Sequence, residues 1–262
     1  MAKQFFEHQI VYITARVEIK LHNTNSIGTG FFYHAPLNDG TNRSVTLLIS
    51  NRHVFLDPKA RLIISLNRRK EDGTPEFGNI RTFDQVGFED AYFVHPDSGV
   101  DLACINVGGI TNTDAFYRNL GNDLLKPIDY EKVVVGSEVI FVGYPENRYD
   151  VVNNLPLIRK GWIASMPNID FNGKGQIVID AQIFQGSSGS PVFVHWDGEY
   201  SLLGVVSQTM IRHSQLQTLP VNMPQVGVEQ TLGLGIVIKQ RHVQELIDYV
   251  VNEYIQRTSQ GA

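Results

Sequence analysis

The sequence predicts an all-β protein built of two six-stranded antiparallel β-barrels and a C-terminal α-helix. Short β-branched and aromatic runs recur with turn residues between them, which is typical of antiparallel strands rather than of alternating strands and helices. These runs fall into two groups of about six, and the last segment of the chain changes to an apolar period of three and four residues. We therefore expect one barrel in residues 1–124, and a second barrel with the terminal helix in residues 125–262.

The first group of candidate strands precedes an irregular segment, Gly121–Gly136, which contains Pro127 and separates the two groups. Its six runs are Ile10–Ile19, Gly30–Tyr33, Val45–Ser50, Leu62–Leu66, Ala91–Val94 and Leu102–Val107. The basic cluster Arg68–Lys70 follows the fourth run and is itself followed at once by Glu71 and Asp72. Mixed charge of this kind indicates a solvated hairpin or loop tip rather than a binding patch.

The second group of candidate strands fills most of the remaining chain. Its six runs are Glu138–Gly143, Leu157–Ser165, Gln176–Ala181, Pro191–His195, Leu202–Ser207 and Gly233–Ile238. Residues 209–231, between the last two runs, show no clean period and predict a long loop. Apolar residues at three- and four-residue steps from Val243 to Ile255 predict an amphipathic helix over residues 239–257, with one face packed on the body.

Composition and charge restrict the class of protein. The chain of 262 residues is 42% hydrophobic and 19% charged, which is ordinary for a globular protein and argues against a disordered or fibrous one. Its net charge of −5 does not favour the phosphates of nucleic acid or anionic lipid surfaces, so we expect neither partner. The chain begins without a signal-peptide pattern and has no run of about 18 apolar residues that could span a membrane. We therefore expect a cytoplasmic protein.

The cysteine and histidine patterns indicate neither a disulfide nor a metal site. Cys104 is the single cysteine and lies in the apolar run Leu102–Ile105, so we expect a buried structural thiol. None of the eight histidines forms the i,i+4 pair or close cluster that is expected of a zinc site. We accordingly predict no metal and no cofactor.

The run Gln185–Pro191, which reads Gln-Gly-Ser-Ser-Gly-Ser-Pro, is the strongest chemical signal in the chain because it places Ser188 between glycines. Glycine has no side chain to keep a substrate carbonyl from the backbone, and it accepts the dihedral angles of a tight loop. A serine hydroxyl is nevertheless a weak nucleophile until a base takes its proton. The run therefore requires a histidine and an orienting acid elsewhere in the chain.

His53 and Asp101 are the candidates for that base and that acid. His53 follows the apolar run Val45–Ser50, so a strand end can hold its imidazole rigidly. Asp101 opens the apolar run Leu102–Val107, where a carboxylate is costly to bury unless a donor such as an imidazole N–H satisfies it. The non-catalytic alternatives are that His53 is a structural or exposed histidine and that Asp101 is a turn aspartate like Asp97.

The three motifs, in the chain order His53, Asp101, Ser188, resemble those of the chymotrypsin-fold (trypsin-like) serine peptidases. In that family a Thr-Ala-x-His-Val-type segment carries the base, an Asp-Ile/Leu-Ala segment the acid, and Gly-Asn/Asp-Ser-Gly-Gly-Pro the nucleophile. Further stretches extend the resemblance over most of the chain: Gly28–Phe32, Val135–Val139, Gly161–Ser165 and Gly204–Ser207. Within the family the chain is most similar to the Htr/Deg proteases, because of Asp180–Ile183 and Gly235–Ile238, although we expect no PDZ domain.

The resemblance implies a serine endopeptidase that acts on a protein or peptide substrate through an acyl-enzyme. Ser188 would attack the scissile carbonyl, His53 would take and return the proton, and Asp101 would orient the histidine. The N–H groups of Gly186 and Ser188 would form the oxyanion hole. By the same resemblance Ser207 would support the aspartate. The number of subunits stays open.

Two departures from the family pattern bear on maturation and specificity. Ser187 stands where trypsin and its relatives have an aspartate that pairs with a newly cut N-terminus, so we expect no activation of that kind. Gln182 stands six residues before the nucleophile, at the base of the primary specificity pocket, where an aspartate would select Lys or Arg. We therefore predict a preference for a neutral or apolar residue before the scissile bond. The remaining predicted residues of the specificity pocket are Ser207, Gln208 and Thr209.

Two alternatives remain beside the peptidase. An α/β-hydrolase esterase is disfavoured because residues 186–190 lack the second glycine of Gly-x-Ser-x-Gly and because its residues follow the order serine, acid, histidine. A catalytically silent or latent binding module of the same fold is the stronger rival, since a collapsed oxyanion loop would have the same sequence.

Overall fold

The strands of the two halves of the chain form two separate antiparallel sheets in the computed structural model, which describes residues 5–22, 24–40, 42–215 and 227–260. The sheet of the N-terminal half has eight strands in the order β5-β4-β1-β2-β3-β7-β6, with β8 paired to β4. They are β1 (Thr14–Lys20), β2 (Asn25–Pro36), β3 (Ser44–Ser50), β4 (Arg61–Arg69), β5 (Pro75–Val86), β6 (Tyr92–Val94), β7 (Ala103–Asn106) and β8 (Ala115–Phe116).

The C-terminal half forms a closed barrel of six strands in the order β10-β11-β14-β13-β12-β9. They are β9 (Glu138–Gly143), β10 (Leu157–Ile163), β11 (Gln176–Asp180), β12 (Pro191–Trp196), β13 (Glu199–Gln215) and β14 (Gly227–Lys239). Closure gives each of the six strands two neighbouring strands.

Helices occupy short connections and the end of the chain. They are α1 (Phe6–Ile10), α2 (Arg52–Phe55), α3 (Gly108–Thr111) and α4 (Gln240–Gln260), and single 3₁₀ turns lie at Glu89–Ala91, Pro145–Asn147 and Phe171–Gly173. Helix α4 buries Val243, Leu246 and Val250 completely. None of the helices among the described residues is long and apolar enough to cross a membrane.

The apolar core is divided into three clusters, one of which joins the two halves. One cluster lies within the N-terminal sheet and one within the C-terminal barrel. The third contains Phe31 and Ile49 of the first sheet, Phe193 of the barrel and Leu246 of α4. Helix α4 therefore packs against apolar residues from both sheets, and this shared cluster holds the two sheets together.

The predicted all-β class is confirmed, and the differences concern the closure of the first sheet and the number and length of strands. The C-terminal half forms the closed six-stranded barrel expected, whereas the N-terminal half forms a sheet of eight strands whose pairings among the described residues do not close it into a barrel. Strand β5 is missed by the sequence pattern because most of its side chains are exposed, so it shows no apolar period. The charged hairpin tip is confirmed at residues 70–74, between β4 and β5, where the Gly73 N–H donates to the Lys70 carbonyl at 2.9 Å. Cys104 is free and buried as expected.

Two predicted segments need correction. Ile10 ends helix α1, and the strand predicted from Ile10 begins only at Thr14. The loop predicted over residues 209–231 is wrong at both ends, since β13 continues to Gln215 and pairs with β14 from Gly227. Strand pairing through backbone hydrogen bonds does not require an apolar alternation, so the sequence pattern did not indicate these strand ends. Residues 216–226 lie outside the described residues.

Candidate active site

His53 and Asp101 are brought together by the pairing of strands β3 and β7. The end of β3 lies beside the start of β7, with Ser50 opposite Ala103, so the residues just beyond these two positions meet at one edge. His53 Nδ1 lies 2.5 Å from Asp101 Oδ2, and the His53 backbone N–H donates to Asp101 Oδ1 at 3.1 Å. The carboxylate thus orients both the imidazole and the first turn of α2.

Three further donors hold Asp101 in this position. Its backbone carbonyl accepts hydrogen bonds from the Asn51 side chain at 2.9 Å and from the Arg52 N–H at 3.3 Å. The Ser207 hydroxyl donates to Asp101 Oδ2 at 3.2 Å. Burial raises the pKa of the Asp101 carboxyl, but the hydrogen bonds from His53 and Ser207 and the attraction of the imidazole together hold that pKa below its ordinary value. Asp101 is therefore a carboxylate at neutral pH.

Ser207 links Asp101 to Ser188. It lies at an irregularity in the pairing of β13 with β14, between Val206 and Gln208, where a bulge can aim a side chain out of the ladder. Its hydroxyl faces Asp101, and its carbonyl accepts a hydrogen bond from Ser188 Oγ at 3.1 Å. Among the described residues no hydrogen bond joins Ser188 Oγ to the imidazole of His53.

The serine loop, residues 182–190, leaves free the two N–H groups expected to form the oxyanion hole. The N–H groups of Ser187, Gly189 and Ser190 donate to the carbonyls of Phe184, Val206 and Ser187, respectively. Those of Gly186 and Ser188 make no hydrogen bond within the described part of the chain. They are therefore available to a negatively charged oxygen.

The conformation of the loop requires glycine at Gly186 and Gly189. Both have positive φ, 87° and 85°. A side chain on Gly186 would overlap the Tyr144 carbonyl oxygen, and one on Gly189 would overlap the Thr29 carbonyl oxygen. The glycines that flank Ser188 in the sequence are thus required by both the backbone angles and the close approach of neighbouring backbone.

Thr29 is a buried anchor of the serine loop that sequence reasoning missed. Its hydroxyl donates to the Gly186 carbonyl at 3.0 Å and accepts from the Tyr144 N–H at 3.2 Å. Its backbone N–H donates to the Ser188 carbonyl at 2.9 Å. The Gly28–Phe32 motif is the only signal that could have indicated this residue, and it reads first as an ordinary strand.

A second anchor holds the peptide between Gln185 and Gly186. The Gln185 carbonyl accepts a hydrogen bond from the Glu146 N–H at 2.5 Å, in the 3₁₀ turn Pro145–Asn147. In a trans peptide the N–H points opposite to the carbonyl, so this bond directs the Gly186 N–H away from the turn. A cavity of about 350 Å³ adjoins the anchor; its lining is Asn25, Ile27, Glu146, Asn147, Gln185 and Gly186.

The residues predicted to form the specificity pocket differ in how far they are buried. Gln182 and Gln208 are exposed, and Ser207 is buried at the carboxylate. Thr209 is half-buried, and its hydroxyl donates to the carbonyl of the buried Ile183 at 2.9 Å. Their role in substrate selection stays a prediction.

Ser187, which stands at the position of the aspartate in trypsin and its relatives, is 2% exposed. Its hydroxyl has no hydrogen-bond partner among the described residues. Because a serine side chain is uncharged, Ser187 cannot form an ion pair with an N-terminal amine, as the sequence indicates.

A group of side chains that could hold a metal ion lies outside this site. It consists of His95, His242 and Glu245, and it was not recognised as a cluster because His95 is far from the other two residues in the sequence.

Comparison with solved structures shows the same fold in proteases of low sequence identity. The serine endoprotease of Yersinia pestis is 15% identical with a TM-score of 0.53, and the match covers 96% of this chain and 68% of that one. An HtrA-type protease, AlgW, determined with a tripeptide, is 16% identical with a TM-score of 0.54, over 92% of this chain and 60% of that one. The tobacco vein mottling virus protease is 14% identical with a TM-score of 0.52, over 91% and 81% of the two chains.

Comparison at the sequence level identifies the family. A search of curated protein sequences returns no match. The profile of the trypsin-like peptidase domain matches residues 28–205, a range that contains His53, Asp101 and Ser188. Since this match spans more than half of the chain, the protein belongs to the family of trypsin-like peptidase domains.

Proposed function

We propose that this protein is a serine endopeptidase in which Ser188, His53 and Asp101 hydrolyse peptide bonds of a protein or peptide substrate through an acyl-enzyme. The observation that carries the proposal is a continuous set of hydrogen bonds. Asp101 accepts from His53 and from Ser207, and Ser207 in turn accepts from Ser188. These bonds gather an acid, a base and a serine hydroxyl at one site, and acyl transfer further requires the hydroxyl to turn towards His53.

The chemical steps follow from the positions of these groups. The Ser188 hydroxyl turns from the Ser207 carbonyl towards His53 when substrate enters, and His53 Nε2 takes its proton as Oγ attacks the carbonyl carbon. His53 then gives that proton to the leaving amine, and water repeats the sequence to release the acyl group. Asp101 holds the Nδ1–H tautomer and stabilises the imidazolium that forms in each step.

The oxyanion of each tetrahedral intermediate is held by the N–H groups of Gly186 and Ser188. Both are without an acceptor in the described part of the chain, and Gly186 is anchored through Thr29. Donors that are fixed before the reaction need no reorganisation as charge develops, so their effect on the rate is large.

The substrate is expected to have a neutral or apolar residue before the scissile bond. Gln182 carries no charge that would select a basic side chain, and the cavity at Gly186 would receive the part of the peptide beside the bond. A peptide-library cleavage profile tests this expectation. Cleavage predominantly after Arg or Lys would contradict it.

Reaction with a fluorophosphonate probe tests the nucleophile. We expect covalent labelling of the wild-type protein, with the adduct on Ser188 by mass spectrometry, and no labelling of Ser188→Ala. Ser187→Ala is the matched control, because it removes a neighbouring buried hydroxyl that has no hydrogen-bond partner in the described part of the chain. Labelling that survives in Ser188→Ala would refute the assignment.

A catalytically silent or latent binding module is the second candidate. The observation that favours it is the hydrogen bond of Ser188 Oγ to Ser207 instead of to His53. The two candidates differ in their response to peptides, since a latent enzyme gains labelling when a peptide is bound. A protein that binds peptides but is never labelled would be the silent module.

A further inference from the structure

The loop before Asp101 and the terminal helix meet in a cluster of two imidazoles and a carboxylate. His95 belongs to the loop between β6 and β7, whereas His242 and Glu245 lie one turn apart on α4. Glu245 Oε2 lies 2.7 Å from His242 Nδ1 and 3.2 Å from His95 Nε2. Three potential ligand atoms, one from each residue, are within 4.8 Å of one another.

The His95 side chain is buried with its Nε2 aimed into this cluster. It is 2% exposed, and the contact with Glu245 lacks the geometry of a hydrogen bond, so Nε2 has no hydrogen-bond partner among the described residues. A buried polar atom without a partner is costly and calls for an explanation. The site remains reachable from solvent, because the Glu245 side chain is 50% exposed.

His95 Nδ1 has a partner in either tautomer of its ring, since it lies 3.3 Å from the Asp97 carbonyl oxygen and 3.1 Å from the Asp97 backbone nitrogen, whose N–H it can accept. Metal binding requires the tautomer in which Nδ1 donates to the carbonyl, because that tautomer leaves a lone pair on Nε2. His242 Nε2 is buried against Gly175 without a hydrogen-bond partner among the described residues, and Nδ1 is the nitrogen that faces Glu245. The two rings cross at 78° with centroids 5.6 Å apart, which lets both nitrogens point at one place.

We propose that His95, His242 and Glu245 bind one divalent transition-metal ion of the zinc type. Two imidazole nitrogens and one carboxylate oxygen form a donor set that suits Zn²⁺ or Co²⁺ and leaves a position for water. Imidazole ligands disfavour Ca²⁺ and Mg²⁺, which prefer oxygen.

Such an ion would clamp α4 to the loop that carries the acid of the active site. The same loop continues from His95 through Gly99 to Asp101, and a small cavity beside the cluster is lined by Gly99, Asp101 and His242. Metal binding therefore stabilises the junction between the N-terminal sheet and the terminal helix. This inference rests on the geometry of the cluster and does not depend on Ser188 being a nucleophile.

Titration of the chelator-treated full-length chain with ZnCl₂ by calorimetry tests the proposal. We expect one equivalent of Zn²⁺ to bind and to raise the Tm. His242→Ala and Glu245→Gln should each weaken binding by at least about tenfold. In the same variants, the visible absorption of bound Co²⁺ should be lost. Glu245→Gln changes a half-exposed group, so its Tm without metal reports whether the variant is folded.

Two controls separate this site from other histidines. His195→Ala alters an exposed histidine on β12, and His53→Ala alters the imidazole that is paired with Asp101; both variants should bind Zn²⁺ as the wild type does. The absence of saturable one-to-one binding would overturn the proposal. So would binding that persists in His242→Ala and disappears in His53→Ala, which would place the ion in the active site.

Discussion

The carboxylate of Asp101 receives three donors that come from two distant parts of the chain. The His53 side chain and backbone N–H belong to the segment after β3, and the Ser207 hydroxyl belongs to β13. The acid therefore connects the N-terminal sheet to the barrel that carries Ser188. At the residue scale, this is the contact on which the proposed chemistry depends.

Asp101→Asn is expected to lower kcat/KM by about 10⁴-fold, because a neutral amide neither fixes the Nδ1–H tautomer nor stabilises the imidazolium. Steady-state hydrolysis of a peptide identified in the cleavage profile measures the effect. Asp97→Asn is the matched control in the same loop, since asparagine can still accept the Gly99 N–H that Asp97 Oδ1 accepts at 2.8 Å. Activity of Asp101→Asn within tenfold of the wild type would contradict the assignment.

The residue types of the site could be predicted from the sequence because each has a local signature. Ser188 lies between glycines that the loop requires, and His53 and Asp101 flank apolar runs. The support from Thr29 could not be predicted, since a threonine in a strand looks the same whether its hydroxyl anchors a loop or faces a neighbour.

At the scale of elements, the serine loop is held between strand β2 and the turn Pro145–Asn147. Thr29 of β2 bonds to both Gly186 and Ser188, and the turn bonds to Gln185. The position of the proposed oxyanion donors thus depends on elements that are distant in the sequence.

Thr29→Val is expected to lower kcat roughly 10- to 100-fold, with a smaller change in KM, because small displacements of catalytic groups cost this much. The valine keeps the shape but leaves the Gly186 carbonyl and the Tyr144 N–H unpaired, at a cost of about 1–3 kcal/mol each in stability. Thr29→Ser keeps the hydroxyl and should retain activity. Equal losses in the two variants would show that packing, and not the hydrogen bonds, matters at this position.

The end of β14 is joined to the segment between β10 and β11 by an ion pair whose lysine is buried. Lys239, the last residue of β14, has a side chain that is 1% exposed and donates to Asp170 Oδ1 at 2.8 Å. Asp170→Asn leaves that ammonium without its counter-ion, and we expect it to lower the free energy of unfolding by roughly 3 kcal/mol. Urea unfolding at pH 7 measures the change. Arg241→Gln removes an exposed partner of Asp170 and should cost less than about 1 kcal/mol.

The same carboxyl predicts how stability depends on pH. Hydrogen bonds from Arg241 and Lys239 lower the pKa of Asp170 from 3.8 to about 2. A carboxyl whose pKa is lowered in the folded state contributes stability at pH values above its ordinary pKa. This contribution is lost as the pH falls through the lowered pKa. The difference in unfolding free energy between wild type and Asp170→Asn should therefore shrink between pH 3.8 and about 2. A constant difference over this range would contradict the ion pair.

At the scale of the whole molecule, the two sheets share a core cluster that includes α4. Leu246 is completely buried in it, together with residues of both sheets. A core that both halves need predicts that they unfold together. The division at residues 124 and 125 stays a prediction about the chain, as does the cytoplasmic location.

Leu246→Ala is expected to lower the free energy of unfolding by about 2–5 kcal/mol through the cavity it leaves. Both tryptophans, Trp162 and Trp196, belong to the C-terminal barrel, so fluorescence reports on the barrel and far-UV circular dichroism on the whole chain. The two signals should change together in wild type and variant. The exposed helix position Asn252→Ala should alter stability by less than about 0.5 kcal/mol. Separate transitions for the two signals would contradict the shared core.

The sequence by itself determined the all-β class, the terminal helix, the charged hairpin and the residue types of the site, because apolar periods, turn residues and glycine requirements are local properties. Only the tertiary structure decided which distant groups meet. His53 pairs with Asp101 across 48 positions, Thr29 reaches Gly186 across 157, and His95 meets His242 on the terminal helix. Strand β5 was likewise invisible in the sequence, since its exposed side chains leave no pattern and its pairing with β4 alone makes it a strand. Contacts of this kind depend on strand order and packing, which no local pattern encodes.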